Sequence, residues 1–76
     1  MNVELEVKKI ISEQTGIHTD KIQNHEDLVK DLNADSMDTV EIVIELEHQF
    51  NLEISDDDAE QLKTVQQIID YITART

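Results

Sequence analysis

Apolar residues in this chain recur every third or fourth position and nowhere alternate strictly enough with polar ones to make a strand, so the sequence asks for helices around a shared core. Val3, Val7, Ile10, Ile11 and Gln14 mark one face of a first helix, with Asn2 placed to cap it. Gly16 follows Thr15 where a left-handed residue ends a helix. Ile17, Ile22, Leu28 and Leu32 then recur too irregularly for a helix. Residues 17–35 are therefore expected to form a connection longer than most in compact domains, pinned to the core by those four side chains. A second helix is expected from Ser36 to about Asn51. A short third one starts at Ser55, where Ser55 and Asp58 have the spacing of a capping box and Asp56 and Asp57 fall in a first turn that favours negative charge. Thr64 and Gln67 form a second capping box, followed by Val65, Ile68, Ile69 and Ile72 at helical spacing. The predicted class is all-α, a small four-helix bundle with a long first loop.

Size and charge narrow the function. Residues 1–76 suffice for a single domain with a small core. There is no cysteine, and no Cys/His cluster has metal-ligand spacing, so neither disulfides nor a metal centre is expected to staple it. Phe50 and Tyr71 are the only aromatics; a core of similar aliphatic side chains can open to admit a guest. Eighteen acids against six bases give a formal charge of −12. That balance argues against nucleic acid and anionic membrane surfaces and points to basic protein surfaces as partners. The first residues have neither the basic start and apolar core of a signal peptide nor the arginine-rich character of a transit peptide. No apolar run approaches the roughly 20 residues that span a bilayer. A cytoplasmic monomer is expected.

The second helix carries two apolar arcs. Thr39, Ile42, Val43, Leu46 and Phe50 fall on the one wide enough to be the core face. Met37, Val40 and Ile44 fall nearly opposite, flanked by Glu41, Glu47 and His48. An apolar strip with a mostly acidic rim reads as a contact surface, although a central helix would bury both arcs.

Catalytic and metal chemistry find little footing. Asp31, Asn33 and Asp35 occupy the first, third and fifth ligand positions of a calcium loop, but Ser36 stands where glycine is needed and Ile42 where a bidentate glutamate is needed. Asp56, Asp58 and Glu60 fail likewise, with Gln61 and Gln67 at those positions. Only loose surface binding of divalent cations is expected. Ser12, Ser36 and Ser55 are the only serines, and none lies in a nucleophile elbow. His18, His25 and His48 show no local relation to a serine and an orienting acid. An enzyme is not expected.

One run remains unexplained by these readings: Asp31-Leu32-Asn33-Ala34-Asp35-Ser36-Met37-Asp38-Thr39-Val40-Glu41, a serine among four acids where a polar loop becomes a helix. Ser36 is placed to be an N-cap, which accounts for the serine but not for the rest. The run resembles the Asp-Ser-Leu attachment signature of acyl carrier proteins. The likeness extends through Val7-Lys8-Lys9-Ile10-Ile11 and Gly16 before it, and through Asp58-Ala59-Glu60, Thr64-Val65-Gln66 and Ile69-Asp70-Tyr71-Ile72 after it. It implies that Ser36 carries a 4′-phosphopantetheine arm, transferred from coenzyme A by a phosphopantetheinyl transferase (holo-carrier synthase). The arm would supply the thiol this chain lacks and shuttle acyl chains as thioesters among fatty-acid synthesis enzymes. A phosphodiester at a helix start would meet free N–H groups and the helix dipole.

Family carriers dock through the second helix, and the matching positions are Asp35, Asp38, Glu41 and Glu47 for charge and Met37, Val40 and Ile44 for apolar contact, with His48 on the same edge. Asn33 replaces the usual glycine, which Asn's tolerance of left-handed angles makes mild. Met37 replaces leucine with similar volume, and Ser55 replaces a common proline with a cap. His48 replaces a common acid, weakening that edge's pull on basic partners. Two alternatives stay open: an acidic helical interaction module without a prosthetic group, and a carrier for a specialised lipid or polyketide pathway.

Overall fold

The computed structural model describes residues 2–76. Among them are four α-helices, α1 (Val3–Thr15), α2 (Ser36–Phe50), α3 (Asp56–Gln61) and α4 (Val65–Arg75), with no strand beyond a single backbone bridge between Asp27 and Thr64. The bundle predicted from periodicity is the bundle observed.

Each helix begins and ends for a local reason. Asn2 accepts from Leu5 N to start α1, and Lys8–Glu4 and Lys9–Glu6 pairs line its outer face. Gly16 stops it with φ +77°, donating its N–H to Ser12 O. Asn51 ends α2 in the same left-handed way, with φ +55°. Thr64 and Gln67 form the expected reciprocal capping box at the head of α4. At the head of α3 the box is only half made: Ser55 Oγ accepts from Asp58 N, but the Asp58 carboxylate does not return to Ser55. It accepts instead from the Tyr71 hydroxyl at 2.8 Å, because α4 passes close enough to offer a better donor than a solvent-facing N–H.

α1 packs against both α2 and α4. Val7, Ile11, Ile42, Leu46, Val65, Ile68 and Ile72 fill the space between them and are essentially sealed from water. Burying each such side chain contributes about 1.5–3 kcal/mol. The long loop, expected to be anchored by Ile17, Ile22, Leu28 and Leu32, buries the last three together with Ala34, while Ile17 is half-buried. It contains one turn of 3-10 helix at Thr19–Lys21. Its second half is sewn to the start of α4, since Leu28 N donates to Lys63 O (2.9 Å), Val65 N to Glu26 O (3.0 Å) and Gln66 N to Asn24 O (2.8 Å).

α3 is the exception. It buries no residue and rests only half-buried Ala59 on the core, with Leu62 just past its end. A six-residue helix without a buried side chain is a wall that can move, because little apolar burial opposes its departure.

Candidate functional site

The loop delivers Ser36 to the surface through a fixed sequence of turns. Asp27 Oδ1 accepts from Val29 N (2.9 Å) and Lys30 N (3.0 Å), closing a turn, and Asp31 Oδ2 accepts from Asp27 N (2.8 Å). The Lys30 amide holds the Asp27 carboxyl below its usual range, with Val29 N–H and the Lys30 and Lys63 charges adding to it against partial desolvation. Asn33 adopts φ +61°, the left-handed angle that its replacement of glycine requires, and Ala34 N then donates to Leu28 O. Leu32 and Ala34 are buried on either side of that turn, so Asp35 leaves the core at a set point.

Asp35, and not Ser36, is the N-cap of α2. Its Oδ1 accepts from Asp38 N (2.9 Å), and Asp38 Oδ2 accepts from Asp35 N (3.2 Å), a complete capping box. The expectation that Ser36 caps the helix is corrected: a carboxylate one residue earlier reaches the N3 amide, and an acid at N3 answers it. Ser36 is the first helical residue, exposed, and its Oγ makes no hydrogen bond among the described residues. The serine is therefore free of structural duty. The same box changes the electrostatics expected at this helix start, because two carboxylates already sit there. The N–H groups of Ser36 and Met37 are the first-turn donors the box leaves over.

Beyond Ser36 the strip predicted on α2 is exposed: Met37 at 70 %, Val40 at 55 % and Ile44 at 48 %. Ile42, Leu46 and Phe50 are buried on the opposite arc, while Thr39 and Val43 are half-buried at its edge. Glu41 and His48 are exposed beside the strip. Glu47 differs from them. It is half-buried, and its Oε2 accepts from Ile54 N at 2.8 Å, so it braces the loop leading into α3. Sequence spacing gave no sign of this bond, which spans the turn after Asn51.

Between α2 and α3 lies a cleft of about 550 Å³ lined by Val43, Ile44, Ile54 and Ala59, with Glu47 and Glu60 among its rim. Thr39, Ala59 and Glu60 also line a neighbouring cleft of about 360 Å³, which reaches Leu28 and Leu62. Thr39 Oγ1 donates to Ser36 O at 2.9 Å, so the shared wall stands one helical turn from the serine.

A model of the family described as "phosphopantetheine attachment site" matches residues 6–72. The fold is similar to the solution structure of a protein from Anaplasma phagocytophilum assigned as an acyl carrier protein, with a TM-score of 0.90 and 32% identity over 99% of this chain and 89% of that one. It is also similar to the acyl carrier protein of Enterococcus faecalis, with a TM-score of 0.82 and 43% identity over 97% of this chain and 94% of that one. Acyl carrier proteins are carriers and not enzymes. A family match across most of the sequence and two superposable carriers leave one reading: the chain belongs to the phosphopantetheine-attachment family, among its acyl carrier proteins.

Proposed function

We propose that Ser36 is the residue that bears the phosphopantetheine and that the chain carries acyl groups among the enzymes of fatty-acid synthesis in the cytoplasm. The observation that supports this most is the division of labour at the head of α2. Asp35 and Asp38 satisfy the helix end by themselves, which leaves an exposed primary alcohol with no structural partner. A residue that both capped α2 and received a modification would unmake the cap when modified; this arrangement avoids that conflict.

The residues present fit the group. Transfer from coenzyme A forms a bond between Ser36 Oγ and phosphorus, breaks the bond to the nucleotide half, and releases the serine proton to the transferase. Ser36 N–H and Met37 N–H are the donors open to the new phosphodiester. When bound, the group supplies a thiol on a flexible arm, which holds acyl chains as thioesters. The Asp35–Asp38 capping box keeps the helix head fixed, so the serine that would bear the arm is held at a set place one helical turn from the Thr39 wall of the clefts. The clefts against α3 are the shelter we assign to the acyl chain, with Val43, Ile54 and Ala59 as apolar walls.

The docking surface runs along α2. Met37, Val40 and Ile44 give the apolar contact, Glu41 the freest charge, and Asp35 and Asp38 a paired negative end. Glu47 contributes charge from a fixed position, and His48 limits the acidity of the far edge. Partners are a phosphopantetheinyl transferase and synthesis enzymes with basic patches.

The test is to load the protein with an acyl-phosphopantetheine and offer it to a condensing enzyme of fatty-acid synthesis. Transfer that slows with added salt is expected. Efficient loading with no transfer to any such enzyme would move the carrier to another acyl pathway.

A further inference from the structure

Among the described residues Met37 is the most exposed of the large hydrophobic side chains, at 70 %, and it heads the strip that Val40 and Ile44 continue along α2. The three follow one another at i, i+3 and i+7, so they share a face. The hydrocarbon side chains of Val40 and Ile44 offer a mild oxidant nothing to react with, whereas Met37 carries a thioether. Met37 and Met1 hold the only sulfur in the chain, since there is no cysteine. The flexibility and polarisability that suit methionine to a docking surface come with this reactivity.

Oxidation at this position takes nothing from the fold. The head of α2 is held by the Asp35–Asp38 capping box, in which the Met37 side chain has no part. The core side of the helix is filled by Ile42, Leu46 and Phe50. In the free protein a sulfoxide on Met37 therefore meets water, which solvates its oxygen. A partner that covers the strip strips that water from a strong acceptor and sets it against an apolar surface, a cost the thioether does not carry.

On the footing of the docking reading above, we infer that Met37 is an oxidation site that sets the strength of docking along α2. A hydroperoxide transfers its terminal oxygen to the sulfur. The S–O bond forms and the O–O bond breaks, sulfur gives up two electrons, and the remaining oxygen takes the proton and leaves as water or an alcohol. A reductase using a dithiol reverses the change, releasing the oxygen as water while the dithiol closes to a disulfide. The acids of the rim are untouched, so encounter keeps its speed and the oxidised complex comes apart faster.

The experiment uses the full chain before attachment of the arm, so that the arm's thiol does not compete for oxidant. The protein is treated with dilute hydrogen peroxide, and mass spectrometry of proteolytic peptides separates oxidation at Met37 from oxidation at Met1. Binding to a phosphopantetheinyl transferase is then followed by stopped flow beside a melting curve. Oxidation at Met37 should weaken binding about fivefold, the low end for burying an unpaired polar group, through faster dissociation at a nearly unchanged Tm. Treatment with methionine sulfoxide reductases for both sulfoxide epimers should restore it. Met37→Leu, whatever its own affinity, should not respond to peroxide. An oxidised Met37 with unchanged affinity, a loss that recurs in Met37→Leu, or a loss that follows a fall in Tm overturns the switch and leaves the docking strip in place. A Met37 that resists peroxide while Met1 is oxidised overturns it too. A Met37→Ala variant that binds the transferase as tightly as the parent overturns the docking reading, and the switch with it.

Discussion

Tyr71 donates its hydroxyl to Asp58 Oδ2 across 2.8 Å, and among the described residues this is the side-chain hydrogen bond that ties α3 to α4. The contact matters because α3 buries nothing and forms one wall of both clefts. Arg75 reinforces it from the other side, stacking on the ring and donating to Tyr71 O.

Tyr71→Phe removes the bond while keeping the ring. We expect a loss of about 0.5–1.5 kcal/mol, or a fall in Tm of several degrees for a domain of this size. The freed Asp58 can return to Ser55 N and offset part of that loss. Hydrogen exchange should quicken in α3 before the rest of the bundle, and uniform quickening would contradict the latch. Burial, followed by the bond to Asp58, raises the Tyr71 hydroxyl above its ordinary value of 10.0, with Arg75 opposing. A raised folded value means the stability it contributes is fully present below about pH 10 and is lost as pH rises through the folded value. Tyr71→Phe should remove that alkaline loss.

Capping assigns opposite fates to neighbouring residues. Asp35→Ala should cost about 0.5–2 kcal/mol, because it removes the acceptor for Asp38 N and exposes the head of α2. Ser36→Ala should stay within about 0.5 kcal/mol of the parent. Urea denaturation of both variants checks this, and a larger loss from Ser36→Ala would restore the serine as the cap.

Glu41 and Glu47 should separate in the same manner. Glu41→Lys alters an exposed, unbraced charge, so it should slow association with a basic partner and flatten its salt dependence while leaving Tm nearly unchanged. Glu47→Ala removes the acceptor for Ile54 N, so it should lower Tm as well. Ile44→Ala should chiefly speed dissociation, since it deletes apolar contact from the strip. Stopped-flow binding with parallel melting curves would test all three, and a Tm unaffected by Glu47→Ala would remove the brace.

Helices and core were legible because periodicity and capping are local. Asn2, Gly16 and the Thr64–Gln67 box can be read from residues three or four apart, and each appears in the structure where spacing puts it. The exposed Met37, Val40 and Ile44 follow from the same 3.6-residue arithmetic. What spacing missed depends on choices between nearby rivals or on distant segments. Asp35 and Ser36 compete for one amide, and the reciprocal acid at Asp38 decides in favour of Asp35. The Asp35–Asp38 spacing was the available signal, overshadowed by the commoner role of serine as a cap. Glu47 with Ile54, Asp58 with Tyr71, and Leu28 with Lys63 meet only because the chain folds back, so no local pattern announces them.

The central claim is that Ser36 alone carries the arm, and intact mass tests it most directly. The protein and its Ser36→Ala variant are incubated with coenzyme A and a phosphopantetheinyl transferase. The account predicts a gain of one phosphopantetheine in the parent and none in the variant, with both retaining the same helical circular dichroism. A gain that persists in a folded Ser36→Ala, or a parent that gains nothing, would contradict it.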